Sequence, residues 1–136
     1  MDTPTAQLIS TLQSATQDLL WMSEIDAAFT VVHWQKQVSA DLSEAEVLQL
    51  TDHSPTTPVS VVELEIFFSA ATQEQAWFGE EEKAIAQQYR ALVILLQQSL
   101  MNLKVYRIGE TTLDLYILGQ TKTDGLVGLM TQAVET

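Results

Sequence analysis

Three strand-like segments near the end of the chain constrain its fold more than any other feature of the sequence. They cover residues 104–108, 112–118 and 126–134, and turns at 109–110 and 123–125 separate them. Strands joined by such short turns pair with their neighbours in antiparallel fashion. The sequence therefore predicts a C-terminal β-meander whose apolar surface has to be covered by helices from the rest of the chain.

Helical spacing of apolar residues predominates in the first two-thirds of the chain. It predicts a first helix from Thr5 to about Leu20. A second helix is expected to open at 41–43, where Ser43 and Glu46 have the spacing of a capping box. Between these helices, the aromatic and β-branched residues 29–34 (FTVVHW) favour a strand.

The middle of the chain combines one short strand with two further helices. A strand at 59–62 is expected to run into a short helix, and the acidic triplet 80–82 is expected to begin a long helix that ends near Leu103. This arrangement predicts one α+β domain, residues 1–136, with helices packed on a mainly antiparallel sheet. The predicted buried stripe of the long helix comprises Ala84, Ile85, Tyr89, Leu92, Val93, Leu96, Leu100 and Leu103.

The charge of the chain limits the partners that it can bind. Eighteen Asp and Glu against six Lys and Arg give a formal net charge of -12 at pH 7. Such a charge repels nucleic acid and anionic membranes and attracts basic proteins, among which proteins that handle DNA or RNA are the largest class. Acidity that serves solubility alone explains the composition equally well.

The sequence has no feature that favours export or insertion into a membrane. It contains no cysteine, its first twenty residues lack the basic start and apolar stretch of a signal peptide, and its longest apolar run is 91–96. A cytoplasmic protein is expected.

Residue types that carry catalysis or bind cofactors occur without a recognisable pattern. The two histidines, His33 in a predicted strand and His53 beside the proline-containing loop 53–58, fit no catalytic motif and no metal-site spacing. A partly buried structural role for His33 and a solvated loop position for His53 are expected. The five glycines form no phosphate-binding motif. The sequence therefore predicts neither an enzyme nor a cofactor, and no metal ion of its own.

Two segments combine large apolar residues with polar ones outside any clear periodicity. The first is 21–26 (WMSEID), and the second is 73–78 (QEQAWF), where two adjacent aromatic residues lie in a polar connection between helices. Exposed tryptophan is typical of interface hot spots, whereas a tryptophan in a connection also serves as a lid over the core. Both interpretations remain open at this stage.

The sequence resembles the nuclease A inhibitor family along nearly its whole length. These proteins are bacterial inhibitors of a sugar-non-specific DNA/RNA endonuclease of the ββα-metal type. The matching stretches are Leu19-Leu20 with Met22-Ser23-Glu24, Val61-Val62 with Phe67-Phe68-Ser69 and Ala71-Thr72, Gln75 with Trp77, Val105-Tyr106-Arg107 with Gly109-Glu110, Leu113-Asp114 with Tyr116 and Gly119, and Val134-Glu135-Thr136.

The resemblance implies an α/β/α sandwich that plugs the active-site cleft of the nuclease. It further implies that Glu24 reaches the catalytic Mg²⁺ of the bound nuclease, and that Gln75, Trp77 and Thr136 contact the same partner, one inhibitor to one nuclease. A carboxylate suits that role because it is a hard oxygen ligand. The alternative is an acidic protein–protein interaction module of the same fold with a different basic target.

Overall fold

The computed structural model describes residues 3–34, 42–73, 75–121 and 125–135. Its described helices are α1 (Thr3–Ala15), α2 (Glu44–Leu50), α3 (Leu64–Thr72) and α4 (Glu80–Ser99). Its described strands are β1 (Leu20–Met22), β2 (Asp26–Ala28), β3 (Thr30–Trp34), β4 (Val59–Val62), β5 (Met101–Gly109), β6 (Thr112–Gln120) and β7 (Leu126–Val134).

Five of these strands form one antiparallel sheet in the order β3-β7-β6-β5-β4, while β1 and β2 form a separate hairpin. The expected meander is therefore confirmed: β5, β6 and β7 are nine residues each and are adjacent in both sequence and space. Helices α1, α3 and α4 cover one face of the sheet and α2 covers the other. The predicted α+β class and the α/β/α sandwich are both confirmed.

Strand β6 shows how alternate residues build the two cores. Ile117 points into the larger core beneath α1, α3 and α4, whereas its neighbours Tyr116 and Leu118 belong to the core beneath α2. Both sides of β6 are therefore apolar. The larger core consists of Leu12, Leu19, Leu64, Phe68, Tyr89, Leu92, Leu96, Leu100, Val105, Ile117, Val127 and Leu129.

Several local expectations are confirmed. The Ser43 side chain accepts a hydrogen bond from the Glu46 N–H, and the Glu46 carboxylate accepts one from the Ser43 N–H, both at 3.1 Å. The segment 29–34 contains β3, and β4 is followed at once by α3. Residue 41, where the second helix was expected to open, lies outside the described residues.

The predicted ends of two helices were wrong. Helix α1 ends at Ala15 and not near Leu20, because the chain turns through Asp18, whose φ of 64° is incompatible with a helix. Helix α4 ends at Ser99, and the apolar Leu100 and Leu103 pack against Gly119 of β6 instead. These two residues are apolar because they pack on the sheet, and their spacing continues the helical periodicity of α4 only by chance.

The predicted buried stripe of α4 was also partly wrong. Ala86 is buried at 2% exposure, whereas Ile85 is 41% exposed and Ala84 is exposed as well. Helix α4 has 20 residues and packs on a twisted sheet, so the side of the helix that faces the sheet shifts along its length. The residues buried in its first turns therefore differ from those that the pattern at its centre predicts.

The expected solvated position of His53 was wrong. Its side chain is 18% exposed and its Nε2 lies 2.7 Å from Oδ2 of Asp114 in β6. Its Nδ1 lies 2.6 Å from the hydroxyl of Thr51, which follows α2. The histidine therefore fastens the end of α2 to the sheet.

Two buried tyrosines retain their phenol protons strongly. Burial raises the pKa of Tyr89, whose hydroxyl donates a 2.6 Å hydrogen bond to the carbonyl of Leu20. Burial and, to a smaller extent, the charge of Asp114 raise the pKa of Tyr116. Ionisation of either phenol is therefore unfavourable in the folded state.

We expect Gly128→Ala to destabilise the fold by about 3 kcal/mol or more. A Cβ at this position of β7 would lie 1.8 Å from the backbone oxygen of Ile117, so the two central strands would have to separate. The matched control is Gly79→Ala, where the nearest atom is the flexible carboxylate of Glu82 at 3.0 Å and a loss under about 1 kcal/mol is expected. Urea unfolding of both variants measures the difference, and equal losses would contradict it.

We expect the free energy of unfolding to fall as the pH rises above 10, the ordinary pKa of tyrosine. The folded-state pKa values are raised, so the unfolded chain releases phenol protons first, and the stabilisation present below pH 10 is lost at higher pH. Each such tyrosine contributes up to about 1.4 kcal/mol per pH unit. Urea unfolding between pH 8 and 11.5 measures the slope, which Tyr89→Phe should reduce. An identical slope in that variant would contradict the assignment.

Candidate partner-binding site

The hairpin of β1 and β2 presents Glu24 at its tip. Its strands pair from Leu20↔Ala28 to Met22↔Asp26, which leaves 23–25 as the connecting loop. The middle residue of each strand faces the protein, and the flanking residues face solvent. Glu24 is exposed, and Met22 beside it is 73% exposed.

Trp21 attaches this hairpin to the helical layer. Its ring stacks on Phe67 of α3 with centroids 4.4 Å apart and planes 10° from parallel. It also meets Phe68 and Tyr89 edge to face, at 5.7 and 6.2 Å. Aromatic contacts of this kind contribute beyond the area that they bury. The strand leading to Glu24 therefore rests on a rigid base.

The hairpin is also fastened to the last strand of the sheet. Thr131 of β7 donates a 2.9 Å hydrogen bond to the carbonyl of Ala28. At the tip, the hydroxyl of Ser23 accepts a 3.0 Å bond from the N–H of Val134, and the N–H of Glu24 donates to the Val134 carbonyl at 3.3 Å. Glu24 therefore lies beside the residue at which β7 ends.

We define the β7 end as the end of the sheet at which β7 and β5 finish and β6 begins. Glu135, the last described residue, extends from it: its N–H donates to the Thr111 carbonyl at 2.9 Å, and its carboxylate pairs with Arg107 of β5. Thr136, predicted as a partner contact, lies outside the described residues. Exposed carboxylates of Glu24 and Glu110 lie at the same end as the Arg107–Glu135 pair, so acidic side chains outnumber basic ones among these four residues.

The connection between α3 and α4 carries the second predicted contact segment. The N–H of Phe78 donates to the carbonyl of Gln75 at 3.0 Å, which closes a tight turn. This turn leaves Gln75 exposed and Trp77 76% exposed, with the Trp77 ring edge to face against Phe78 at 4.7 Å. Trp77 therefore does not act as a lid over the core.

The topology brings this connection to the β7 end. Phe67 of α3 packs against Leu113 and Ala133, two residues at that end of the sheet, whereas α4 finishes at the opposite end, directly before β5 begins. Helices α3 and α4 are antiparallel, since Gln97 near the end of α4 donates to Glu65 near the start of α3. Helix α3 therefore runs toward the β7 end, and α4 runs away from it. The first residue of α4, Glu80, lies nine residues before Tyr89, which places it about 13 Å further toward the β7 end. Glu24, Gln75 and Trp77 therefore lie at one end of the molecule.

The sequence alone does not reveal the residues that hold this surface in place. Trp21 and Ser23 belong to the segment singled out as irregular, but their inward-facing roles depend on contacts with α3 and β7. Leu20, Trp21 and Met22 are all apolar, so no alternation in the sequence marks Trp21 as the inward residue of this three-residue strand. Arg107 belongs to a stretch that matches the family, but the match gives no indication of its pairing with Glu135.

The described part of the chain holds no group of three His, Asp or Glu side chains arranged to bind a metal ion. Nor does any helix within the described ranges have the length and apolar character needed to cross a membrane. The exposed groups described at this end include the carboxylate of Glu24 and the indole of Trp77.

Comparison with known proteins identifies the family. A search of curated proteins returns no match to this chain. The family model described as nuclease A inhibitor-like protein matches residues 6–136, which include Glu24, the α3–α4 connection and the whole sheet. The chain therefore belongs to the nuclease A inhibitor-like family.

Proposed function

We propose that this protein inhibits a sugar-non-specific DNA/RNA endonuclease of the ββα-metal type by inserting its β7 end into the active-site cleft. Membership of the nuclease A inhibitor-like family over residues 6–136 carries the proposal. One inhibitor binds one nuclease, with no reaction of its own. The geometry of the β7 end supports this function in three respects.

Glu24 is the residue directed at the catalytic Mg²⁺ of the nuclease. Its carboxylate is on the exposed tip of a hairpin that the Trp21 contacts and the bonds to Val134 hold in place. Mg²⁺ prefers oxygen ligands and commonly retains positions for substrate phosphates. A carboxylate on a projecting tip can occupy such a position, so the inhibitor imitates a phosphate oxygen of the substrate.

Trp77 supplies apolar contact area beside this anchor. A tryptophan that is 76% exposed leaves a large apolar surface in water, and burying it against a partner is favourable. Gln75 lies two residues before Trp77 in the same turn and offers an amide for hydrogen bonding. Thr136, which follows Glu135, provides a further polar contact in this proposal.

The net charge of -12 assists the encounter. A nuclease that binds DNA and RNA without sequence preference needs a surface that attracts phosphates. The acidic β7 end is complementary to such a surface, and complementary charge raises association rates more than it raises affinity. The charge therefore acts on the rate of binding, whereas Glu24 and Trp77 act on dissociation.

We expect Glu24→Ala to weaken inhibition by about 2 kcal/mol or more, roughly 30-fold in affinity. The measurement is Mg²⁺-dependent digestion of plasmid DNA by a purified ββα-metal nuclease, titrated with wild type and variant. Wild type should stop digestion near one-to-one stoichiometry. The matched control is Glu44→Ala, which removes the same charge from α2 on the opposite face of the sheet.

Two outcomes separate the possible errors. Equal inhibition by wild type and Glu24→Ala would remove Glu24 from the interface while leaving the function intact. No inhibition by the folded wild-type protein would overturn the function and favour a different basic target for the same surface.

We expect Trp77→Ala to weaken binding of the nuclease by about 2 kcal/mol or more without unfolding the protein, because its side chain is mainly exposed. Calorimetric titration gives the affinity, and thermal unfolding verifies the fold. Ile66→Ala is the control, since Ile66 is 66% exposed on α3 and faces away from the core. A loss of affinity that is equal in both variants would contradict a specific role for Trp77.

A further inference from the structure

One hydroxyl adds side-chain hydrogen bonds to the backbone bonds at the tip of the β1–β2 hairpin, among them the 2.9 Å bond from the Ser23 N–H to the Ile25 carbonyl. Ser23 Oγ donates to the carbonyl of Ile25 at 3.2 Å and accepts from the N–H of Val134 at 3.0 Å. A serine hydroxyl has one proton to donate and two positions at which it can accept. The Ser23 oxygen can therefore bond to Ile25, on the other side of the loop, and to Val134, the last residue of β7, at the same time. Glu24 lies between the two residues that this hydroxyl connects.

We propose that Ser23 is a positioning residue that sets the direction of the Glu24 carboxylate by locking the hairpin tip onto the end of β7. Its effect on inhibition rests on the proposed function, whereas the lock itself is a property of the free protein. The N–H of Glu24 donates to the Val134 carbonyl, so the lock includes the backbone of Glu24. The same contact holds Val134, the last residue of β7.

The location of these bonds determines what their loss changes. They are exposed, so water can replace the hydroxyl of Ser23 without leaving a buried polar group unpaired. The hairpin retains its other attachments, the Trp21–Phe67 stack and the bonds from Thr131. Ser23→Ala therefore leaves the fold intact but lets the tip adopt several conformations, of which only one directs Glu24 correctly. Ordering a loop on binding lowers affinity.

The first experiment is a double-mutant cycle of affinity for the nuclease with Ser23→Ala, Glu24→Ala and the double variant. We expect Ser23→Ala to weaken binding about 5- to 10-fold in the wild-type background and less than about 2-fold once Glu24 is absent. Ser23→Thr, which keeps the hydroxyl, should bind within about 2-fold of wild type. Equal losses in both backgrounds would overturn the proposal, because a residue that acts independently of Glu24 gives additive effects.

The matched control is Ser69→Ala. Its hydroxyl donates a 2.9 Å bond to the Ile66 carbonyl on the exposed side of α3, so the same chemical change is made away from the hairpin. Affinity should remain that of wild type. A loss in Ser69→Ala as large as in Ser23→Ala would show that the effect is not specific to the tip.

The second experiment is amide hydrogen exchange of the free protein, which does not require any nuclease. We expect the amides of Glu24 and Val134 to exchange about tenfold faster in Ser23→Ala than in wild type, and to be unchanged in Ser69→Ala. Unchanged exchange in Ser23→Ala would overturn the lock whatever the inhibition data show. If wild type fails to inhibit, the proposed function falls, and exchange alone decides whether Ser23 holds the tip.

Discussion

The pairing of β6 with β5 on one side and β7 on the other is the interaction on which the rest of the structure depends. Each strand has nine residues, and the register extends from Thr112↔Val134 to Gln120↔Leu126. Because both faces of β6 are apolar, the sheet needs a helical layer on each side, which α1, α3 and α4 provide on one and α2 on the other. The close approach of β7 to β6 at Gly128 shows how little freedom the centre of the sheet has.

This sheet also determines where the candidate site forms. An antiparallel meander returns the chain to the same end with every second strand, so the end of β7 meets the start of β6. The helical hairpin of α3 and α4 turns at that end as well, and the β1–β2 hairpin is fastened there by Thr131 and Val134. Segments that are far apart in sequence are thus brought together by the strand register.

The sequence predicted those parts of the fold that local patterns determine. The meander, the capping box of Ser43 and Glu46, and the strand-to-helix transition at 59–72 were correct because turns, caps and periodicity act within a few residues. The ends of α1 and α4, the role of His53 and the β1–β2 hairpin depend on contacts with distant residues. For the candidate site, the sequence singled out the two segments, whereas their proximity and the contacts of Trp21 and Ser23 required the tertiary structure.

The site combines an exposed outer surface with a firmly packed base, and the two properties are connected. Met22 and Trp77 are more than 70% exposed, a cost in water that a free protein tolerates only for a few side chains. Trp21, which precedes Met22 in β1, faces the opposite way and packs on Phe67. The alternation of a strand allows one short segment to do both: its inward residue fixes the backbone, and its outward residues stay exposed to solvent. A surface prepared in this way loses less entropy on binding than a flexible loop does.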